Sequence, residues 1–265
     1  MKVLLIGATG NVGLRLVASL LTHNHSVVAY VRSSSKLSSL LPPSVYGQIA
    51  VVEGDATDSA AIKKAILEAG CDAVVNSAGR AALAPWGESD SQVIFKAVVD
   101  AVRDAGGERG KPLRAWFLGG MGVMYYPGTE VMLSRYIPIY LAHNKNHALL
   151  KSLPPNAITW SMLCPSHMTP ESTTISVPTK SSRSQLIANA TNLPLWKGSW
   201  IEYIPLIGKM IVTGMNAPRY MTTLEQNADF IASDLESGDG ESRWCGESRW
   251  CGMAVGVIDG GAKAK

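Results

Sequence analysis

The sequence predicts an α/β protein with a doubly wound parallel sheet, and three observations predict it. The chain opens on a short apolar run, Val3 to Ile6, then passes through Gly7, Gly10 and Gly13 into the periodic segment Leu14 to Leu21, which reads as strand, tight turn and helix start. Further apolar runs alternate with amphipathic segments at the spacing of parallel crossovers. Finally, 265 residues, 46% hydrophobic and only 17% charged, suffice for one sizeable core and exclude a disordered chain.

In the opening turn Gly7 lets the chain reverse after the strand, Gly10 lets main-chain N–H groups approach a pyrophosphate, and Gly13 lets the helix pack on the sheet. Thr9, Asn11 and Val12 complete a turn whose free N–H groups, backed by the helix dipole, suit phosphate. An ordinary strand-turn-helix corner is the bland alternative. Val27 to Val31 is a second strand running into Arg32-Ser33-Ser-Ser-Lys36. In a dinucleotide fold this strand end faces the adenosine ribose. No Asp or Glu stands there, whereas Arg32, Ser33 and Lys36 supply charge and donors for a 2′-phosphate, so NADP(H) is favoured over NAD(H).

After the break at Leu41-Pro-Pro43, Ile49 to Glu53 is a third strand leading into Gly54-Asp55-Ala56-Thr57-Asp58. Asp55, with Ala56 beside it, can accept from an adenine amino group, and Asp58 can cap the helix Ser59 to Ala69. The fourth strand, Ala73 to Val75, ends in Asn76-Ser77-Ala78-Gly79, small residues across which a cofactor can lie. Ser91 to Ala105 reads as a helix, Gly106, Gly107, Gly110 and Pro112 as a surface loop, and Leu113 to Leu118 as a fifth strand. A ligand then belongs across the carboxyl ends of the strands.

Tyr140 to Ser152 fits a helix stopped by Pro154-Pro155, and Ile158 to Leu163 a sixth strand ending in Cys164-Pro165-Ser-His167-Met168. Residues 170–218 read as an irregular insertion that covers substrate, with Trp196, Trp200 and Tyr203 favouring a bulky, largely apolar ligand. An oligomer contact is the competing reading of that segment. Thr222-Thr-Leu-Glu225 has capping-box spacing for a helix reaching about Leu235. The tandem Glu241-Ser-Arg-Trp-Cys-Gly246 and Glu247-Ser-Arg-Trp-Cys-Gly252 lengthens the loop before a last strand, Met253 to Ile258. Residues 1–258 thus form one domain, with 259–265 as a mobile tail.

The net charge of +3 is spread without a basic stripe, so no nucleic-acid partner is expected. Cys71, Cys164, Cys245 and Cys251 lack metal-ligand spacing, which argues against a metal and for reduced thiols in the cytoplasm. The apolar opening is interrupted by glycines and Asn11, and no run approaches the ~20 residues of a membrane span. The expectation is a soluble monomer or homodimer acting on a small molecule.

With these residues in place, the chain resembles the atypical short-chain dehydrogenase/reductases, in particular the NmrA-like and biliverdin reductase B (flavin reductase)-like group. Three stretches carry the likeness: Gly7-Ala-Thr-Gly-Asn-Val-Gly13 with Arg32; Phe117-Leu-Gly-Gly-Met-Gly122 with Pro127-Gly128; and the helix His143 to Ser152 leading to Ile158 to Met168. The resemblance implies a Rossmann domain, NADP(H), and a fifth-strand turn, Gly119 and Gly120, beside the nicotinamide. It places His143 where other members keep the lysine that holds the nicotinamide ribose, and Pro165 and His167 on the nicotinamide side of the pocket.

Two features depart from that pattern. Glycines replace the hydroxyl-bearing residue of the fifth-strand turn, and there is no Tyr-x-x-x-Lys pair, because Tyr136 and Tyr140 precede Lys145 at spacings that share no helix face. A reduction would take its proton from His167, His143, Tyr140 or water. The resemblance therefore implies an NADP(H)-dependent oxidoreductase acting on a bulky aromatic or conjugated molecule in secondary metabolism. It leaves open a non-redox isomerase or ring-rearranging enzyme that keeps NADP(H) bound, and a non-catalytic NADP(H) sensor.

Overall fold

A computed structural model describes residues 1–80, 82–83, 89–175, 186–236 and 250–261. The buried apolar runs become the strands of one sheet: β1 (Lys2–Ile6), β2 (Ser26–Val31), β3 (Ala50–Glu53), β4 (Ala73–Asn76), β5 (Arg114–Leu118) and β6 (Thr159–Cys164). Between them run α1 (Asn11–Thr22), the short α2 (Ser34–Leu40) and α3 (Pro43–Tyr46), α4 (Ser59–Ala69), α5 (Ser91–Glu108) and α6 (Ala142–Lys151). Beyond β6 come the two-residue β7 (Met168–Thr169), β8 (Leu186–Ala190), α7 (Gly208–Asn216), β9 (Thr222–Thr223), α8 (Leu224–Asp234) and β10 (Met253–Asp259).

The large sheet has the order β3-β2-β1-β4-β5-β6-β10-β8, and β7 pairs with β9 beside it. Every pairing is parallel except that of β10 with the edge strand β8. Two cores cover its faces. Ile62 and Ile66 of α4, Val98 and Val102 of α5 and Leu150 of α6 pack on one side, and Leu16 and Leu20 of α1 with Ala228 and Ile231 of α8 on the other. The sheet is thus doubly wound, as the alternation of runs predicts.

Several boundaries differ from the sequence reading for local reasons. Gly106 and Gly107 belong to the last turns of α5, not to a loop, because the helical ladder continues to Arg109, whose N–H donates to the Ala105 carbonyl at 3.0 Å. The capping box of α8 is one residue later than expected. The Gln226 amide donates to Thr223 Oγ1 and the Thr223 amide to Gln226 Oε1, each at 3.0 Å. Glu225 is thereby free to pair with Arg15 of α1 at 3.1 Å. Segment 170–218 is not irregular throughout, since it supplies β8 and α7. Asp259 is paired with Leu186 in the sheet and is no part of a tail. Residues 176–185 of the covering segment, residues 241–249 of the tandem and tail residues 262–265 lie outside the described residues.

Candidate cofactor and substrate cleft

A cleft of about 930 Å³ opens across the carboxyl ends of the central strands. Its floor is the first turn. Gly7 sits at φ +91°, and a Cβ there would stand 2.6 Å from the Ala78 nitrogen, so only glycine lets β1 turn this close to the tip of β4. Gly10 is the N-cap of α1 and offers no side-chain cap, and the first turn of α1 contains no acidic residue. Its leading N–H groups, at Asn11 and Val12 on the cleft wall, are therefore open to an anion. These residues fit a dinucleotide pyrophosphate.

At the end beside β2 and β3, where the adenosine is expected, the cleft is lined by Tyr30, Arg32, Asp55, Ala56 and Thr57. Asp55 Oδ1 accepts from both the amide and hydroxyl of Thr57 at 2.8 Å, and these bonds hold its carboxyl below the usual range. Ser33 and Lys36 do not line the cleft. The chain turns into α2 directly after Arg32, and the Ser33 hydroxyl caps that helix by accepting from the Lys36 amide at 3.2 Å. An acidic group does stand near the end of β2, although none follows it in sequence: Glu53, at the tip of β3, accepts from the Ser34 amide at 2.6 Å. That contact joins residues 19 apart.

Ser77, Ala78 and Gly79 line the middle of the cleft, the Ser77 hydroxyl tied back to the Ile6 carbonyl at 3.0 Å. At the far end stand Gly119, Gly120, Tyr140, His143, Pro165 and His167. A Cβ on Gly120 would lie 3.0 Å from His143 Cδ2, so glycine in this turn is what makes room for the imidazole. Burial pushes the His143 imidazole down to about 4, which leaves it neutral near pH 7. Its Nδ1 is buried without a hydrogen-bond partner among the described residues. The Tyr140 ring lies 6.4 Å from that of His143, and His167 is exposed, its carbonyl accepting from the Thr222 amide at 3.2 Å.

The predicted aromatic cover is not built as expected. Trp196 packs between Tyr126 and Tyr220, with ring centroids 5.3 and 6.4 Å away, while Trp200 and Tyr203 face solvent. None of the three lines the cleft, to which that segment contributes Thr213 and Ala217. The apolar wall comes instead from Ile94 and Phe95 of α5 and from Leu133, Ile137 and Ile139. The run Tyr136-Ile-Pro-Ile-Tyr140 was the available sequence signal for part of this wall. Among the described residues no cluster of His, Cys, Asp or Glu could hold a metal, and no helix is long and apolar enough to cross a membrane.

Residues 7–189 match a family model described as NAD(P)H-binding. No curated protein sequence gives a match. Among solved structures, a protein of Burkholderia pseudomallei is 21% identical with a TM-score of 0.60, the match covering 97% of this chain and 99% of that one. A short-chain dehydrogenase/reductase of Veillonella parvula in complex with NADP is 13% identical with a TM-score of 0.60, over 98% of this chain and 95% of that one. ChuY, an anaerobilin reductase of Escherichia coli, is 16% identical with a TM-score of 0.59, over 98% of each chain. At these identities the likeness is one of fold.

Proposed function

The chain belongs to the NAD(P)H-binding family, and from that premise we propose that it is an NADPH-dependent reductase of a bulky, largely apolar conjugated small molecule. The observation that carries the reading is the uncapped α1 N-terminus opening into a cleft whose adenosine end holds Arg32 and whose other end is walled by apolar side chains. Among the described residues no side chain hydrogen-bonds or ion-pairs with Arg32, whose charge acts on Asp55 across the cleft, so its guanidinium is available to a 2′-phosphate. The naming of one structure of this fold as an anaerobilin reductase agrees with a large conjugated substrate.

A reduced nicotinamide, when bound, supplies a hydride. The chain's own residues then have to orient the acceptor, keep water out and deliver a proton. Ile137, Ile139, Leu133 and Phe95 form an apolar surface against which a flat ligand packs. Neutral His143 can give or accept one hydrogen bond through its unpartnered Nδ1 and is a positioning group. Proton delivery falls to His167 or the Tyr140 hydroxyl, both on the cleft wall. Buried Cys71 and Cys164, with thiols pushed up to about 11 and about 12, stay protonated and suit a reducing cytoplasm.

Calorimetry with NADPH and NADH, followed by NADPH oxidation assays over quinones, flavins, enones and imines, tests the proposal. NADPH binding with turnover of one class is expected; no heat with either nucleotide would overturn it. One observation favours a second reading, a non-redox isomerase that retains the cofactor: the Tyr-x-x-x-Lys pair is missing and His143 carries no charge to donate. A product equal in mass to substrate, with cofactor absorbance unchanged, would select it.

A further inference from the structure

On α7 and the 3-10 turn Trp200–Tyr203 before it, the chain holds large apolar side chains in solvent. Trp200 is 75% exposed, Tyr203 81% and Leu206 fully, and Ile207, Met210 and Met215 follow along the outer side of the helix. The opposite side of α7 carries buried Val212, Thr213 and Asn216, and Thr213 reaches the cleft. Turn and helix form one unit, because a Cβ on Gly208 would collide with the Ile201 carbonyl. Leu206 is held at φ +69°, a conformation costing a leucine roughly 1–2 kcal/mol, at the tip of the connection.

We propose that this face is the interface of a homodimer, in which the α7 surfaces of two copies of the chain pack against each other about a twofold axis. The area fits: Trp200 and Tyr203 alone offer roughly 300 Å². With their neighbours they approach the ~800 Å² per partner of a stable interface, well beyond the ~300–600 Å² of a typical monomer's largest apolar patch.

The charges select a second copy over an anionic surface. Glu202 is held by the Tyr126 hydroxyl at 2.5 Å, Lys209 lies over the Tyr126 ring at 5.2 Å, and Arg219 donates to the Leu195 carbonyl at 3.0 Å. Of the four charged residues of 195–221, Glu202, Lys209 and Arg219 are engaged within the chain and Lys197 stands exposed, so no basic row faces outward for lipid headgroups or nucleic acid. Gly214 lies exposed on the same face, with nothing within 4 Å of where a Cβ would be. Glycine inside a helix costs about 1 kcal/mol, which close approach of a partner helix offsets.

Sedimentation equilibrium of the full chain, with and without Leu206→Glu and Met210→Glu, tests this. Neither residue lines the cleft. A wild-type dimer dissociating in the micromolar range or below is expected, with at least a 100-fold weaker association in the double variant at unchanged far-ultraviolet dichroism. Hydrogen exchange gives a readout without mutation: amides of 206–215 should lose protection on dilution through the dissociation constant. A wild-type monomer at 100-fold higher concentration, a dimer indifferent to the substitutions, protection that ignores dilution because other residues of the chain cover the face, or recruitment of the monomer to anionic vesicles would each overturn the proposal.

Discussion

Arg32 lines the end of the cleft beside β2, and Glu53, at the tip of β3 just before the lining residue Gly54, is the nearest acidic side chain to the start of α2, so the two carry the proposed preference for NADPH in opposite directions. Replacing Arg32 with Ala removes a charge-assisted bond worth about 1.5–3 kcal/mol, so NADPH affinity should fall roughly 10–100-fold while NADH affinity changes little. Glu53→Gln keeps an acceptor for the Ser34 amide but removes a negative charge at the tip of β3, next to the lining residue Gly54. It should shift the NADPH to NADH affinity ratio upward, and titration calorimetry of both variants reads both effects. His143 gives a prediction in pH. Its folded value is about 4, against 6.5 for the free imidazole. Between those values the unfolded chain binds a proton that the folded chain does not, so stability is full above pH 6.5 and declines as pH falls toward 4. His147 and His25 are also lowered by burial and add in the same direction. The contribution of His143 alone at pH 5 is roughly 2 kcal/mol. Urea midpoints of wild type and His143→Asn at pH 7.5 and 5 measure it as the difference between the two pH dependences.

Strands β1 to β6 and helices α1, α4 and α8 were legible because each is a continuous apolar run or a periodic stripe bounded by a turn, most of them buried on both faces, and the edge strand β3 by its Val51-Val52 run alone. Strand β8, Leu186-Ile-Ala-Asn-Ala190, was not. It is an edge strand paired only with β10 and less deeply buried, so its alternation is weak. Helix α7 was hidden for a different reason: it is short, lies between Pro205 and Pro218 and contains Gly208 and Gly214, and its contrast is inverted, with Met210 and Met215 exposed while Thr213 and Asn216 are buried. The cap of α8 illustrates a limit of spacing arguments: Thr222 with Glu225 and Thr223 with Gln226 satisfy the same pattern. Only the fold chooses, because Glu225 is needed by Arg15 and by the Glu171 amide at 2.9 Å. Thr223→Ala should therefore cost about 1 kcal/mol of stability. Thr222→Ala acts differently, by stripping Asn227 Nδ2 of its 2.7 Å bond inside the core. Chemical denaturation of the two variants separates the roles, and equal small losses would contradict the assigned cap.

The sheet divides the molecule into two ends with different duties. The carboxyl ends of the strands carry the cleft, and the amino end of β5 carries an ionic junction that spans the molecule. Arg114 is buried there and donates to Asp234, the last residue of α8, at 2.8 Å and to Ser161 of β6 at 2.9 Å. Trp116 Nε1 donates to the same Asp234 oxygen at 2.9 Å, and the Ser161 hydroxyl donates to the Trp250 carbonyl at 2.7 Å. One guanidinium thus ties β5, β6, α8 and the approach to β10 together, although its Nε is buried without a partner among the described residues. Such a junction specifies which elements meet more than it stabilises them, since both charges lose their hydration. Removing one partner is another matter. Asp234→Ala leaves the Arg114 guanidinium uncompensated in the interior and should cost about 3–5 kcal/mol in urea unfolding. The double change Arg114→Met with Asp234→Leu removes both charges and should recover at least half of that loss. Because the junction lies toward the opposite end of the strands from Gly10 and Arg32, nucleotide affinity of the folded protein should stay within about twofold in both variants. A double variant no more stable than Asp234→Ala would show that the cost lies in lost packing and not in the stranded charge. A nucleotide affinity that fell with stability would mean that the two ends of the sheet are not independent.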